Sequence, residues 1–283
     1  MPELPEVETV RRGLEPLIGH RIVACDVRRR DVVRDRTIES PNPRRGVINP
    51  DSLGTGSVIS ALVRRGKQLA MIMKYHTHER VVLLQLGMSG QVSLVSTPRI
   101  PDAKHVHVVW TLDDTRRIVF RDPRRFGGVT LLPDQQTLDR AWSQLGPDAL
   151  SIRAPLLGSA IEGSQRAIKA ALLDQGVLAG VGNIYADESL FRAGIDPRAI
   201  SGSLGPDRVR ALADSIRAVL RAAVRARGST LRDYRDTNNT PGSAQLLHQV
   251  YNRAGQACPR CGHPIESTRI AQRSTCWCPC CQH

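Results

Sequence analysis

Apolar positions recur at helical spacing where the chain begins. Val7, Val10, Leu14 and Leu17 share one face, Glu3, Glu6 and Glu8 stand near the start, and Arg11 and Arg12 follow. This pattern predicts a short amphipathic helix whose charges suit its dipole. From Arg21 to about Leu132 the texture changes to short β-rich runs: Val58 to Val63, Leu69 to Met73, Val81 to Leu86, Val106 to Leu112, Ile118 to Phe120 and Val129 to Leu132. Turn residues such as Asp113-Asp114 and Gly127-Gly128 separate them, which predicts an antiparallel sandwich or barrel. Val81-Val82-Leu83-Leu84 is apolar on both faces and so reads as a central strand. Pro133 to about Gln136 reads as a linker, and the pattern beyond it is helical. Ile168, Ala171 and Leu172 repeat at helix spacing, Gly176, Gly180 and Gly182 interrupt, and a second helix covers roughly Ile184 to Ala193. A longer helix runs from an Asp207 cap through Val209, Leu212, Ile216, Leu220 and Val224 until Gly228. The chain contains no internal repeat and no low-complexity tract.

Charge narrows the function. The 283 residues carry 40 Lys plus Arg against 27 Asp plus Glu, a net +13, and 36 of the bases are Arg. Guanidinium forks match phosphates and base edges, so the excess points to a polyanion, nucleic acid first. A hydrophobic content of 41% is ample for a buried core and excludes disorder as the main state. No run approaches the roughly 20 apolar residues of a membrane span, and the N-terminus lacks the order of a signal peptide, so a cytoplasmic protein is expected.

Six of the seven cysteines lie between Cys258 and Cys281, with Cys25 remote. Cys258-Pro-Arg-Cys261 and Cys278-Pro-Cys-Cys281 are two knuckles at zinc spacing, and Zn²⁺ favours four thiolates in a tetrahedron. The expected quartet is Cys258, Cys261, Cys278 and Cys281, with Cys276 and Cys280 as a competing pair. Between the knuckles, Thr268 to Thr275 would form a hairpin tip bearing Arg269 and Arg273, suited to phosphate contact.

The first residues admit two readings. Pro2 can simply start a helix that Glu3 and Glu6 complement. Alternatively, trimming of Met1 before the small Pro2 leaves a free secondary amine. Such an amine has a lower pKa than a lysine and is nucleophilic near neutral pH, with Glu3 as the neighbouring acid or base.

Met-Pro-Glu-Leu-Pro-Glu-Val-Glu-Thr-Val-Arg-Arg-Gly-Leu at residues 1 to 14 resembles the start of the formamidopyrimidine-DNA glycosylases, bacterial repair enzymes that remove oxidised purines. The resemblance recurs at Arg64-Arg65-Gly66-Lys67, Leu86-Gly87-Met88-Ser89-Gly90, Asp122-Pro123-Arg124-Arg125-Phe126-Gly127, Gly182-Asn183-Ile184-Tyr185-Ala186-Asp187-Glu188 and the cysteine finger. It implies an α+β, multidomain fold. An N-terminal catalytic β-sandwich with flanking helices would span residues 1-133, a linker and helix-two-turn-helix DNA-binding domain 134-247, and a zinc finger 248-283.

Carried over by position, the resemblance makes Pro2 the nucleophile that forms a Schiff base with C1′ and Glu3 the acid that assists sugar opening. Lys67 would contact phosphates and supply a proton, and Arg273 would hold a flanking phosphate and serve the second elimination. A base must leave the stack before chemistry, and the gap must be filled. Met88 and Phe126 would be the wedges, and Arg124 would bind the orphaned cytosine. Asn183 would bind the lesion phosphate. His105 would contact DNA, with His107 expected to point the same way two residues on, and Lys169 would lie near the lesion. The cofactor implied is one structural Zn²⁺, and the partner is double-stranded DNA with oxidised bases or abasic sites, bound by a monomer.

Four residues depart from the family pattern: Gln85 replaces a usual His, Ser164 replaces a common basic contact, and Ser243-Ala244 replace an aromatic pair in the loop that closes over the flipped base. The rival readings are an endonuclease VIII-like glycosylase for oxidised pyrimidines and a catalytically silent lesion-binding paralogue. Intact Pro2, Glu3 and Lys67 argue against the second.

Overall fold

The β-rich runs form strands where the alternation predicts them, and the structure adds several that are too short or too polar to stand out. In this computed structural model, which describes residues 2–35, 53–96 and 104–283, the chain divides into two units. One holds Pro2, Glu6–Ser143 and Ser229–Gly242, and the other holds Glu3–Pro5, Gln144–Gly228 and Ser243–His283.

The first unit contains two sheets. β1 (Ile22–Val27), β7 (Val106–Leu112), β8 (Arg117–Arg121) and β6 (Gln91–Val95) make an antiparallel sheet in that order. β2 (Val33–Asp35), β9 (Gly128–Leu132), β5 (His78–Gln85), β4 (Gln68–Tyr75) and β3 (Val58–Arg65) make the other, in which only β2 runs parallel to its neighbour. A shared core draws Val92, Val108, Trp110 and Phe120 from the first sheet and Ile59, Leu69, Met71, Val82, Leu84 and Val129 from the second, which makes a β-sandwich. α1 (Leu4–Leu14) sends Val7, Val10 and Leu14 into this core, the face its periodicity predicts. β5 is central, as expected. Val82 and Leu84 face the core, while Val81 and Leu83 are buried on the side covered by α2 (Gln135–Trp142). α2 begins inside the expected linker because Asp134 caps it, accepting from the Thr137 N–H at 2.7 Å.

The second unit is helical. α3 (Ala154–Ile161), α4 (Ile168–Leu173), α5 (Asn183–Ala193) and α6 (Pro206–Arg225) enclose a core of Leu157, Ile168, Leu172, Tyr185, Leu190, Leu212, Ile216 and Leu220. α6 starts earlier than the Asp207 cap predicts. Gly205 is its cap and Pro206 takes the first turn, where a missing N–H costs nothing, so Asp207 serves the dipole instead. The finger contributes β10 (Glu266–Ile270) and β11 (Arg273–Trp277), paired antiparallel from Glu266↔Trp277 to Ile270↔Arg273. Among the described residues no helix is long and apolar enough to cross a membrane.

Candidate active site

In the first unit, two loops at the end of the sandwich are locked together through their backbones. Gly87 follows β5 with φ 58, and a Cβ there would sit 2.6 Å from the Phe126 carbonyl oxygen. The Met88 loop can approach the Phe126 loop this closely only because residue 87 is glycine. Asp122 joins them from beneath. It is fully buried, and its carboxylate accepts from Ser89 Oγ at 2.5 Å, Gly127 N at 2.7 Å and Arg124 N at 3.3 Å. The side chains carried by this frame point to solvent: Met88 is 38% and Phe126 59% exposed. A core role for either is excluded. The Arg124 guanidinium lies 4.9 Å from the Phe126 ring centroid, while Arg125, in the left-handed region at φ 58, turns aside to pair with Asp31 at 2.9 Å. An apolar probe, an aromatic ring and a guanidinium are therefore presented together on a rigid base.

Lys67 sits half-buried in the two-residue turn between β3 and β4. Arg64 holds that turn, donating from Nη1 to the Gly66 carbonyl at 3.0 Å and from Nε to Glu8 of α1 at 3.1 Å. Burial works against the Glu8 charge, yet Arg11, Arg12 and Arg64 hold its carboxyl down to about 2. Pro2 is buried at the entrance to α1, while Met1 lies outside the described residues. His105 is exposed with φ 63, but His107 does not point the same way as expected. His107 is 4% exposed, its Nε2 2.7 Å from the Asp122 carbonyl oxygen. The expectation fails because His105 lies outside β7 and the register slips between Val106 and Val108, so strand alternation does not link the two residues.

In the second unit Glu3 is 2% exposed and caps α5. Its Oε2 accepts from Gly182 N at 2.7 Å and its Oε1 from Ile184 N at 3.0 Å. α5 has no capping side chain of its own, so a carboxylate from 180 positions earlier in the chain satisfies two orphan donors at the positive end of the dipole. A Cβ on Gly182 would stand 2.6 Å from Glu3 Oε1. Asn183, the first residue of α5, donates from Nδ2 to the Ser274 carbonyl at 2.9 Å and so touches the finger hairpin.

Lys169, expected near the lesion, is wholly enclosed. Its ammonium pairs with Asp187 at 2.6 Å and donates to the Ser274 carbonyl at 2.8 Å and Thr275 Oγ1 at 2.9 Å, and Asp187 also accepts from Cys276 N at 3.0 Å. The structure leaves Lys169 no surface from which to touch DNA and instead makes it the bolt between α4, α5 and β11. The expected Arg-bearing hairpin is present. Ala271 and Gln272, both at positive φ (47 and 58), form a tight turn that leaves Arg273 exposed at the tip.

The four sulfurs of Cys258, Cys261, Cys278 and Cys281 lie within 4.8 Å of one another, with Cys258 to Cys281 at 3.9 Å and Cys261 to Cys278 at 3.5 Å. Thiolates about 2.3 Å from one tetrahedral zinc stand about 3.8 Å apart, so these residues fit the ion. The Arg260 backbone N–H donates to Cys258 Sγ at 3.4 Å, as suits a thiolate ligand. Cys276 is buried, with its backbone N–H on Asp187, and Cys280 is exposed, and neither belongs to the cluster.

Of the departures, Gln85 ends β5 opposite Gly128, Ser164 lies in the α3–α4 connection, and Ala244 is buried in the helical core with Ser243 exposed beside it. Two organising acids escaped the sequence reading. Asp122 heads the Pro-Arg-Arg-Phe-Gly run, an Asp before a turn whose N–H groups need an acceptor, and that signal was available. Glu188 accepts from Gln249, Val250 and Tyr251 N at 2.9, 3.0 and 2.8 Å, and nothing local in sequence announces partners 60 residues away.

Three family descriptions match the chain in order: the formamidopyrimidine-DNA glycosylase N-terminal domain over residues 1–129, its H2TH domain over 145–235, and the zinc finger found in FPG and IleRS over 255–283. A sandwich, an H2TH module and a four-cysteine finger in this order define a DNA glycosylase. The chain is 44% identical to the formamidopyrimidine-DNA glycosylase of Laribacter hongkongensis and 42% to that of Magnetococcus marinus. Each match covers all of this chain, with 100% and 99% of the relative. Among solved structures, a Lactococcus lactis FPG mutant bound to Fapy-dG containing DNA matches over the full length of both chains with TM-score 0.85 and 32% identity. The MutM (FPG) protein of Thermus thermophilus matches over 99% of this chain and 98% of its own, with TM-score 0.82 and 37% identity. The chain belongs to the formamidopyrimidine-DNA glycosylase family.

Proposed function

We propose that this chain excises oxidised purines, 8-oxoguanine and formamidopyrimidines, from double-stranded DNA and then cuts the strand at the resulting site. The observation that carries this reading is Glu3, a buried carboxylate fixed by two backbone N–H groups of α5 and adjoining Pro2 through one peptide bond. A carboxylate fixed in this way can hold and return a proton beside an amine nucleophile.

In this reading the Pro2 lone pair attacks C1′ of the damaged nucleotide, and the bond from C1′ to the base breaks with its electron pair on the base, which takes up the proton that the amine gives up. Glu3 delivers a proton to the ring oxygen as the C1′–O4′ bond opens and the iminium forms. That iminium acidifies the C2′ hydrogen, whose loss expels the 3′ phosphate. Loss of a C4′ proton then expels the 5′ phosphate, and water releases the sugar fragment and regenerates Pro2. Lys67 and Arg273 hold phosphates around the lesion, and Asn183 binds the lesion phosphate. Met88 and Phe126 fill the vacated stack, and Arg124 bonds the orphaned cytosine. His105, exposed beside the loop frame, supplies a further DNA contact, and Lys169 acts indirectly by holding the hairpin that bears Arg273. The zinc is structural and enters no step. Residues 1-133, 134-247 and 248-283 serve respectively as catalytic, helical DNA-binding and finger segments.

Borohydride reduction on duplex carrying 8-oxoguanine or an abasic site tests the reading. It should trap a covalent adduct whose mass and digestion place it on Pro2. Absence of an adduct with either substrate refutes it, and faster excision of oxidised pyrimidines than of oxidised purines would reassign the substrate.

A further inference from the structure

Away from these residues the second unit contains a cavity of about 280 Å³ between α5, α6 and the 3-10 turn Ala244–Leu247. Its floor is apolar, formed by Ala218, Val219 and Ala222, with Phe191 beside them under Arg260. Its mouth is cationic. Arg192 and Arg260 both line it, and the Arg260 guanidinium lies 4.2 Å from the Phe191 ring centroid, where it also donates to the Arg192 carbonyl at 3.3 Å. Among the described residues no carboxylate pairs with either arginine. The one acid in the lining, Glu188, is buried and held by three backbone N–H groups and pairs with neither arginine. Leu246 and Leu247 stand at the lip, 80% and 48% exposed, and the outer face of α6 adds exposed Arg221 and Arg225 one turn apart.

Single exposed leucines are ordinary, but an apolar floor with two leucines and two guanidiniums that no carboxylate pairs has the chemistry of a recognition site. We propose that this cavity docks an acidic peptide segment of a partner protein, an aliphatic or aromatic side chain resting on the floor and flanking carboxylates on Arg192 and Arg260. A nucleic-acid strand fits less well. Its hydrated phosphates would satisfy the arginines but leave the alanine floor unfilled, and the Phe191 ring on which a base would stack is already covered by Arg260. The site stands independently of the function proposed above.

The test uses the full-length zinc-bound protein and a short fluorescein-labelled peptide with adjacent leucines set among aspartates, followed by anisotropy. Saturable micromolar binding is expected, weakening as salt rises. Replacing the peptide leucines with serines should weaken it at least tenfold. So should Ala222→Trp, which fills the floor, and Arg192→Glu, which reverses the mouth. Zinc content and melting temperature check each variant. If Ala222→Trp is misfolded, the surface change Arg192→Glu decides. Binding that does not saturate, equal affinity for the serine peptide, or wild-type affinity in Arg192→Glu overturns the proposal. Displacement of the peptide by single-stranded DNA at lower concentration than by unlabelled peptide also overturns it, by assigning the site to nucleic acid.

Discussion

Replacing Lys169 by methionine isolates one buried charge. The side chain has similar length, so packing is largely kept, but Asp187 (1% exposed) loses its partner while Cys276 N remains. Breaking a buried pair from one side costs about 3–5 kcal/mol, because the surviving charge stays desolvated. For a module of this size that corresponds to a fall in melting temperature of about 10–20 °C. The loss should also depend on pH. Burial pushes the Asp187 carboxyl from 3.8 up to about 6 even with Lys169 present, and the same burial pulls Lys169 below the usual lysine value. Both partners thus move toward neutrality. An acid with a raised folded value stabilises the fold while protonated, and this contribution is lost as pH climbs through the folded value. In the wild type that loss is complete a little above pH 6. Without the ammonium to oppose the rise, the Asp187 value climbs further, and Lys169→Met keeps losing stability toward pH 8. Urea unfolding at pH 5 and pH 8 should show the gap between wild type and variant widening with pH. Adding Asp187→Asn to the variant should narrow it. A gap equal at both pH values, or below about 1 kcal/mol at pH 8, refutes the reasoning.

Other substitutions probe the remaining parts. Gly87→Ala places a side chain at φ 58 against the Phe126 carbonyl, so about 1–2 kcal/mol of backbone strain plus displacement of both loops is expected, read as lower urea stability and weaker abasic-duplex binding. Phe126→Ala removes an exposed ring, so stability should stay within about 0.5 kcal/mol. Affinity for abasic duplex should nonetheless fall by about tenfold or more, the worth of one stacked aromatic. Glu3→Gln keeps the size of the cap but offers one acceptor oxygen to two N–H groups. Helix stability should fall by about 1 kcal/mol and single-turnover strand cutting by about 10²-fold or more. Cys261→Ser should release zinc and abolish duplex binding while the β-sheet circular dichroism persists, and normal binding by that variant would remove the finger from the DNA-binding surface.

What was legible in sequence had short range. Alternation located β3, β4, β5 and β9 because each has one or both faces under apolar cover, and C-x2-C spacing located the zinc quartet because a knuckle is a local turn. β1, with all five positions after its buried first residue partly or fully exposed, offered too few apolar positions to register. For Lys169 the resemblance implied only a place near the lesion, and nothing local in the sequence foretells its enclosure. Its burial depends on Asp187 and on the Ser274 carbonyl and Thr275 hydroxyl of β11, which arrive more than 100 residues later. The same holds for Ser229–Gly242, which groups with the first unit although it follows the helices. Its contacts include Ser229 N to Glu6 Oε1 at 2.7 Å and Leu94 N to the Thr237 carbonyl at 2.8 Å, and no contiguous reading can anticipate such a return.

The Glu3 cap has a consequence for synthesis. The residues that fix this carboxylate, Gly182 and Ile184, lie 179 and 181 positions downstream. At about 5–20 residues per second a ribosome needs about 10–40 s to reach them. During that interval the nascent chain already carries its N-terminal amine, but the neighbouring carboxylate has no seat. The carboxylate of the third residue is thus seated only after about two thirds of the chain has been made. On the function proposed above, a product truncated before Gly182 would keep the amine while lacking the fixed carboxylate beside it.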